Sequence, residues 1–533
     1  MLVGNDYLWV MKLLPLGIQD FEILRTGDHL YVDKTKYILP LLEGRKTLFF
    51  SRPRRFGKSL LLSTLNYLFR GRRDLFEGLY IYDKIDWEEY PVIRLDFSGL
   101  DYASGIEAFS AAIQESLVEQ AESYGLPIRG TYSLMGMFRA LIKDLYEKFG
   151  CGVVLLVDEY DKPVVDLWEE EKDSSANQQL LANLFGMLKR LDEYLRFVLF
   201  TGITKVAKLS VFSKLNNIVD ISLHPDYNSL IGITQVELEA NFADYFPLLE
   251  ANLGLPREEL LEELRLWYNG YNWTGKEKVY NPYGLLQVMW KKRFFRYWFA
   301  SGTPNFLIKR MRNKPIDLVD FERIKTSTLE EQEADWRETP LETLLFQTGY
   351  LTIVDYEFHS FGETYVLSYP NNEVRLAFMN KLLKVFGKNE VESMYTVVRR
   401  LKGALDTEDM EAFLGILKGF YASIPYSLHV KAERFYHALF LAFMRMLGMD
   451  VEGEILTDVG RIDSVLKRSH QIYIIEFKYS AEGGSLDRLV NKALAQIRSK
   501  GYGEKYAGDE RRLLYMGIAF DGVQISGRLE EGN

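Results

Sequence analysis

Short apolar runs separated by helical patterns recur through the first two fifths of the sequence, and this alternation constrains the fold more than any other feature. The clearest runs are Thr47–Phe50, Val92–Asp96, Val153–Val157 and Phe197–Thr201. Near-continuous apolar strands alternate with helices when a parallel sheet is covered on both faces. The region from Leu14 to about Ile221 is therefore predicted to be an α/β domain.

Length and composition exclude several classes of protein. At 533 residues the chain exceeds the size of a single hydrophobic core, and its 47% hydrophobic and 26% charged residues are typical of globular domains. The single cysteine, Cys151, excludes an intramolecular disulfide framework. The six histidines and this cysteine do not occur at the spacing of a Cys/His zinc cluster. The sequence shows no signal peptide and no apolar segment long enough to span a bilayer. We therefore expect a cytoplasmic protein without a membrane partner.

The segment Arg52–Ser59 follows the first apolar run and reads Arg-Pro-Arg-Arg-Phe-Gly-Lys-Ser. A P-loop carries G-x-x-x-x-G-K-[ST] between a strand and a helix, because its N–H groups, lysine and hydroxyl hold phosphates and Mg²⁺. Arg52 stands at the first glycine position, and Pro53 has no N–H to donate. The second half of the pattern is complete, and its residues are candidate nucleotide ligands: Phe56, Gly57, Lys58 and Ser59.

A second element supports this prediction. The apolar strand Gly152–Val157 ends in Asp158 and Glu159, where one carboxylate can orient Mg²⁺ and the next can activate the attacking water. A buried strand that ends in a polar loop is the alternative interpretation. A third strand ends at Thr201, which is placed to sense the terminal phosphate, although threonine is common at strand ends.

Acidic residues also occur near the end of the chain, on two predicted strands joined by a short turn. The strands are Gly460–Lys467 and Ile472–Lys478. If residue 467 pairs with residue 472, the same register places Asp463 opposite Glu476. Facing carboxylates destabilise a sheet unless a cation or a shared proton lies between them. Lys478 falls on the same face as Glu476, where an ammonium group can orient water and stabilise charge on a phosphate.

These motifs resemble a known family. The matching segments are Tyr31–Thr35, Arg52–Ser59, Val157–Glu159, Tyr268–Tyr271 and Asn281–Pro282, and together they resemble the bacterial AAA-ATPase-like family. In that family the loop also lacks the first glycine, and members often carry a C-terminal PD-(D/E)XK nuclease domain. The resemblance implies a P-loop of AAA+ or STAND type that binds ATP and Mg²⁺. Arg54 and Arg55 are then either phosphate contacts or packing residues at the helix N-terminus.

The same resemblance assigns roles near the C-terminus. Asp463 matches the first acid of PD-(D/E)XK enzymes, and Glu476 with Lys478 matches the E-x-K, so the three are expected to act in phosphodiester hydrolysis. The alternative interpretation is that the E-x-K residues lie on a solvated strand face and have no catalytic role. Glu454 resembles an additional metal-binding acid. Weaker matches are the leading helix Glu433–His437, in which His437 is expected to be a packing residue, and Gln496 and Tyr502 after the core.

We therefore expect an α/β multidomain protein with four parts. Residues 14–225 form a P-loop NTPase core with a parallel sheet, and residues 226–315 form a helical lid or a winged-helix-like subdomain. Residues 316–395 form a linker with a β-hairpin, and residues 396–527 form a restriction-endonuclease-like α/β domain. Within these parts the sequence predicts a helix over Val236–Leu248 and strands over Tyr350–Tyr356 and Thr364–Tyr369.

The leading hypothesis is an ATP-dependent or ATP-regulated, Mg²⁺-dependent nuclease. The resemblance alone favours DNA over RNA, and AAA+ sites commonly form in homo-oligomers. The alternative is a nucleotide-switched signalling or defence protein that binds nucleic acid without cutting it. A net charge of −10 argues against a globally basic surface, so local basic clusters matter more. Four clusters stand out: Arg52/Arg54/Arg55, Arg70/Arg72/Arg73, Lys291/Lys292/Arg293/Arg296 and Lys309/Arg310/Arg312.

Overall fold

A computed structural model describes most of the chain. The described residues are 11–43, 47–127, 133–167, 170–205, 211–212, 215, 217–298, 324–327, 329, 338–360, 362–378, 394–422, 444, 450–457, 460–468, 470–480, 485–506, 508–521 and 524–532. The chain divides into two compact units. One contains Met1–Arg310 and Arg323–Arg375, and the other contains Met311–Glu322 and Leu376–Asn533.

A five-stranded parallel sheet forms the core of the first unit. Its strands are Thr47–Ser51 (β1), Val92–Asp96 (β2), Val153–Asp158 (β3), Leu195–Gly202 (β4) and Val219–Asp220 (β5). They lie in the order β2-β3-β4-β1-β5, and every neighbouring pair is parallel. All residues of β1 and β3 are buried, as their apolar sequences predict. Because the strands are parallel, the ends of β1, β3 and β4 meet at one edge of the sheet.

Helices accompany this sheet. They are Phe21–Thr26 (α1), Thr35–Glu43 (α2), Lys58–Phe69 (α3), Ile106–Ser123 (α4), Leu134–Phe149 (α5), Lys162–Val165 (α6) and Glu171–Gly186 (α7). The α3 helix begins at Lys58, within the P-loop sequence. The predicted order of strand, loop and helix is therefore confirmed.

A second hydrophobic cluster in the first unit is built mainly from helices. These are Gln235–Asn241 (α8), Phe246–Leu253 (α9), Arg257–Tyr268 (α10) and Pro282–Lys291 (α11), and their buried faces meet around Leu238, Leu264 and Val288. The prediction of one helix over Val236–Leu248 is wrong. The helix ends at Asn241 and a new one begins at Phe246, because Pro247 has no N–H for a continuing helix and is accommodated in a first turn.

The first unit also contains a small antiparallel sheet. Helix Leu341–Gln347 (α12) precedes it, and residues 372–378 are helical after it. Its strands are Ile324–Thr326 (β6), Thr352–His359 (β7) and Gly362–Ser368 (β8), in the order β6-β8-β7. His359 pairs with Gly362, so the hairpin turn lies where the sequence predicts it. The predicted strand limits are displaced by one to three residues.

The second unit contains a mixed sheet with hydrophobic clusters on both faces. Its strands are Asp450–Thr457 (β9), Gly460–Lys467 (β10), Gln471–Tyr479 (β11), Arg512–Phe520 (β12) and Ile525–Glu531 (β13), in the order β13-β12-β11-β10-β9. Only β11 and β12 are parallel. The described helices are Met394–Asp406 (α13), Met410–Ala422 (α14) and Leu486–Ser499 (α15). One cluster joins α13 and α14 to the sheet, and the other joins α15 to it.

None of the helices in the described ranges combines the length and the apolar composition that crossing a lipid bilayer requires.

Candidate active sites

The P-loop turns sharply into the helix that follows it. Gly57 caps α3 with φ of 100°, a left-handed conformation that glycine adopts without strain. Lys58 begins the helix and turns back into the loop, where its Nζ donates to the carbonyls of Arg52 at 2.8 Å and Pro53 at 3.1 Å. Burial lowers the pKa of Lys58, while the Asp158 carboxylate acts in the opposite direction. An ammonium group held at the loop centre is placed to meet phosphate oxygens.

Three predicted nucleotide-site residues meet at the carboxyl edge of the sheet. Ser59 Oγ donates to Asp158 Oδ2 at 2.6 Å, and Thr201 Oγ1 donates to Asp158 Oδ1 at 2.5 Å. The N–H of Glu159 also donates to Asp158 Oδ1, at 3.0 Å. A serine hydroxyl and an aspartate carboxylate are hard oxygen donors of the kind that Mg²⁺ prefers. The donor set at Ser59 and Asp158 therefore fits the Mg²⁺ of a P-loop site.

Glu159 differs from Asp158 in its environment. Burial raises the pKa of Glu159, whereas the nearby cations Lys58 and Lys162 lower it. Its backbone has φ of 50°, which is uncommon for a residue with a side chain. A carboxylate with a raised pKa beside a P-loop is suited to accept a proton from water.

Sequence reasoning missed two residues that position the end of β4. The Asp161 carboxylate accepts hydrogen bonds from the N–H groups of Ile203 and Thr204 and from the Thr204 hydroxyl. Tyr160 donates its hydroxyl to the Thr204 carbonyl at 3.0 Å. Both residues are buried, and burial raises the pKa of Asp161. The residues after β4 are thus tied to the segment that follows β3. The run Asp-Glu-Tyr-Asp at the end of β3 was the sequence signal that could have indicated this contact.

Arg52 has a structural role that its place in the motif did not reveal. Its guanidinium is only 1% exposed and donates to the carbonyls of Ser51, Ser222 and Tyr227 at 2.7–3.1 Å. The guanidinium carbon also lies 4.0 Å from the ring centroid of Trp273. Burial lowers the pKa of Arg52 to about 9. The side chain therefore ties the first position of the loop to backbone 170 and 175 residues away.

The next residues of the P-loop sequence, Arg54, Arg55 and Phe56, have three different environments. Phe56 is buried, and its ring packs edge-on against Tyr271, so its side chain serves packing. Arg54 is partly buried, lies 3.8 Å from Asp166, and its carbonyl accepts a hydrogen bond from the Trp298 ring. The exposed Arg55 guanidinium lies 5.0 Å from the ring centroid of Tyr283, with φ of 68°.

A largely apolar cavity of about 120 Å³ opens beside the P-loop. Its lining includes Tyr31, Gly57, Leu61, Ile231, Pro282 and Leu286. These residues come from the loop before α2, from the start of α3, from the segment before α8 and from α11. Such a wall suits the face of a planar ring. Lys34 also borders the cavity, but Glu237 Oε2 accepts its hydrogen bond at 2.5 Å.

The hairpin register in the second unit is the one that the sequence predicts. Lys467 pairs with Ile472, and the pairs continue to Ser464 with Ile475. The described ladder stops there, before Asp463 and Glu476. Instead, Asp463 Oδ2 accepts a hydrogen bond from the N–H of Phe477 at 2.8 Å. The carboxylate thus meets the backbone of the residue next to Glu476.

Glu476 and Lys478 lie on one face of β11, as the alternation predicts. Lys478 Nζ donates to Glu476 Oε1 at 2.7 Å and to the Phe477 carbonyl at 2.9 Å. The Glu476 side chain is 1% exposed and that of Lys478 is 15% exposed. Burying a carboxylate is costly unless a cation lies beside it. Two oxygen-donor acids with an adjacent ammonium group fit a hard divalent cation.

The remaining candidates are less well placed by the structure. Glu454 lies on β9, in the register position opposite Asp463, because Ile455 pairs with Ile462 and Gly453 with Ser464. Its side chain and the segment Glu433–His437 lie outside the described residues. Among the side chains that the structure describes, no group of three or more His, Cys, Asp or Glu residues forms a metal cluster.

The last two candidate residues in the sequence are Gln496, which lies on α15, and Tyr502, which follows this helix. Gln496 is half-buried on that helix, and Tyr502 is 2% exposed in the hydrophobic cluster beneath it. Tyr502 therefore contributes to the packing of the helix against the sheet.

Together, these features define a P-loop NTPase joined to a nuclease-fold domain. Residues 15–212 match a family described as a predicted AAA-ATPase, and residues 431–527 match the PD-(D/E)XK nuclease superfamily. An uncharacterized protein in the vnfD 5'region of Azotobacter chroococcum mcd 1 is 35% identical over 516 residues, covering 96% of each chain. The chain therefore belongs to the AAA-ATPase-like family and carries a C-terminal PD-(D/E)XK nuclease domain. Both domains indicate a hydrolytic enzyme that binds nucleotide and uses a divalent metal.

Two solved structures also show similarity. One is the Aeropyrum pernix ORC1 protein in complex with DNA, with 14% identity, a TM-score of 0.23, and coverage of 66% of this chain and 90% of that one. The other is the Aeropyrum pernix ORC2 protein in ADPNP-ADP complexes, with 11% identity, a TM-score of 0.25, and coverage of 66% and 92%.

Proposed function

We propose that the protein is an ATP-regulated, Mg²⁺-dependent nuclease that hydrolyses phosphodiester bonds, with DNA as the preferred substrate. The observation that supports this proposal is that Asp463 accepts a hydrogen bond from the backbone of Phe477, which lies between Glu476 and Lys478, and that the Lys478 ammonium donates to Glu476. The family resemblance supplies the preference for DNA. The chain thus joins a phosphate-binding site in one unit to a hydrolytic site in the other.

At the nuclease centre, Asp463 and Glu476 would hold Mg²⁺ through their carboxylates, and Glu454 is the candidate for a third ligand. Bound Mg²⁺ would stabilise negative charge on the phosphate during attack. Lys478 would orient the attacking water and stabilise the developing charge, because its ammonium group is already directed at Glu476. The buried position of Glu476 strengthens these charge interactions by excluding water.

At the nucleotide site, Lys58 would bind the terminal phosphates, while Ser59 and Asp158 would hold Mg²⁺. Glu159 would accept a proton from the attacking water, and Thr201 would sense the terminal phosphate through its contact with Asp158. The cavity beside Gly57 would receive the adenine ring. Arg55 is exposed next to this site and is the better placed of the two neighbouring arginines to add a phosphate contact.

Regulation would begin with a change of partner at Lys58. Its Nζ now donates to two loop carbonyls, and a phosphate would compete for the same donor. Nucleotide binding can therefore alter the P-loop. Arg52 and Trp273 hold the first position of this loop, and Trp298 holds the loop through the Arg54 carbonyl. We propose that this change controls cleavage by the nuclease unit.

The test uses the full-length protein with linear DNA and RNA, with Mg²⁺, and with or without ATP. Glu476→Ala and Lys478→Ala are expected to lower cleavage by roughly 10²- to 10³-fold. Lys500→Ala, an exposed lysine after α15, is the matched control and should cleave normally. Lys58→Ala should remove the effect of ATP and leave the ATP-independent rate unchanged.

Two results would contradict different parts of the proposal. Binding of nucleic acid without cleavage under any divalent metal would refute nuclease activity. Cleavage by Lys58→Ala that still responds fully to ATP would refute regulation by the nucleotide site alone.

A further inference from the structure

A short segment at the end of α11 combines positive charge with aromatic rings. Residues 290–296 read Trp-Lys-Lys-Arg-Phe-Phe-Arg, with four cations and no acid, and we name them the basic aromatic loop. The loop belongs to the first unit. Neither the nucleotide site nor the nuclease site accounts for it.

Two rings of the basic aromatic loop are open to solvent. Trp290 is 56% exposed and Phe295 is 41% exposed. The cations Lys291 and Arg293 are also exposed, and each lies 5.5 Å from the centroid of one of these rings. The surface therefore presents ring faces and positive charges side by side.

The backbone of this loop is held by several side chains. The Tyr268 hydroxyl donates to the Phe295 carbonyl and accepts from the Phe295 N–H, both at 3.0 Å. Asn252 donates to the Lys292 carbonyl at 2.8 Å, and Tyr297 donates to the Arg293 carbonyl at 2.8 Å. A surface held in this way loses little conformational freedom when a ligand binds.

Nearby negative charge has another partner. Glu250 lies on the same helix as Asn252, and its carboxylate forms an ion pair with Arg257. Among the described residues, Lys291, Arg293 and Arg296 lie over aromatic rings and none of them forms an ion pair with a carboxylate, so their charges can meet an external anion.

We infer that the basic aromatic loop binds single-stranded nucleic acid. Cations recognise the phosphate backbone, and exposed aromatic rings stack with unpaired bases. A duplex hides the faces of its bases, so the exposed rings favour a single strand. This inference is independent of the nuclease reaction, because binding here involves none of the catalytic carboxylates.

The test measures binding of fluorescent 15-nucleotide dT and rU strands by anisotropy, using the full-length protein in EDTA without nucleotide. Both strands offer the same phosphates and open bases, and their relative affinities distinguish DNA from RNA. Trp290→Ala and Phe295→Ala should each weaken binding by roughly 5- to 150-fold, the effect of losing one stacked base. Phe358→Ala, a 76% exposed ring on β7, is the matched control and should bind normally.

The charges are tested separately. Lys291→Gln and Arg293→Gln should each lower the slope of log affinity against log salt by about 0.7, the value for one phosphate contact to a single strand. Lys325→Gln, an exposed lysine on β6, should leave the slope unchanged. Because cleavage is not measured, a failed nuclease assay leaves this result intact. The inference is overturned if all four loop variants keep the affinity and the salt slope of the unsubstituted protein. It is also overturned if the protein binds a 15-base-pair duplex as tightly as it binds the single strands.

Discussion

Replacing Arg52 by glycine restores the usual P-loop pattern, but the structure predicts that this change destabilises the protein. The guanidinium is buried and donates three hydrogen bonds to the carbonyls of Ser51, Ser222 and Tyr227. It also packs against the Trp273 ring. Glycine would remove these contacts and leave the carbonyls without their donor.

The size of the effect follows from these contacts. Each buried acceptor that loses its donor costs about 1–3 kcal/mol, and water entering the vacated space recovers part of this. The added backbone freedom of glycine in the unfolded chain costs roughly 0.5–1 kcal/mol more. The desolvation that lowers the pKa of Arg52 to about 9 is relieved in the variant and offsets part of the sum. We expect the free energy of unfolding to fall by about 2–4 kcal/mol.

Arg55→Gly is the matched control, because it makes the same substitution three residues away. Arg55 is exposed and has φ of 68°, a conformation that glycine adopts without strain. Its free energy of unfolding should stay within about 1 kcal/mol of the wild type. Urea unfolding followed by tryptophan fluorescence and circular dichroism measures both variants. If Arg52→Gly unfolds at the same urea concentration as Arg55→Gly, the bracing role of Arg52 is refuted.

Three further predictions follow from other contacts. Gly349→Ala should weaken ATP binding, because φ is 88° and the added Cβ would lie 2.7 Å from the Pro53 side chain; calorimetry measures the affinity. Burial raises the pKa of Glu159. As the pH is lowered, the rate of ATP hydrolysis should therefore begin to fall at a higher pH than it would if the base were a carboxylate with an ordinary pKa. Lys162→Met removes a cation that lowers this pKa and should move the acid limb of the ATPase pH profile higher still. Asp463→Asn should abolish cleavage while the thermal unfolding temperature stays nearly unchanged, because the amide oxygen still accepts the bond from Phe477.

Each of these predictions has a control or a contrary result. Gly254→Ala adds a side chain at φ of 68° where nothing lies within 4 Å, so ATP affinity should be unaffected. Lys172→Met removes an exposed lysine and should leave the acid limb in place. Normal ATP affinity in Gly349→Ala, an unmoved limb in Lys162→Met, or cleavage by Asp463→Asn would contradict the corresponding argument.

The features predicted best are those that depend on local sequence. The strand before the P-loop and the α3 helix after it were predicted, because apolar runs and a glycine-lysine turn act over a few residues. The pairing of Lys467 with Ile472 was predicted because a short turn leaves little choice of register. One local prediction was wrong, because α8 ends at Asn241 and a new helix begins at Phe246 with Pro247 in its first turn.

The sequence by itself therefore determined the element types and the two classes of domain, and it named the candidate site residues. Only the tertiary structure decided what surrounds them. Arg52 binds carbonyls 170 and 175 residues away, and Trp298 donates to a carbonyl 244 residues away. The described ladder between β10 and β11 stops at Ser464 with Ile475, and the Asp463 carboxylate accepts a hydrogen bond from the Phe477 backbone. Sequence spacing predicts contacts between neighbours in the chain, but contacts between distant segments depend on how the folded elements pack.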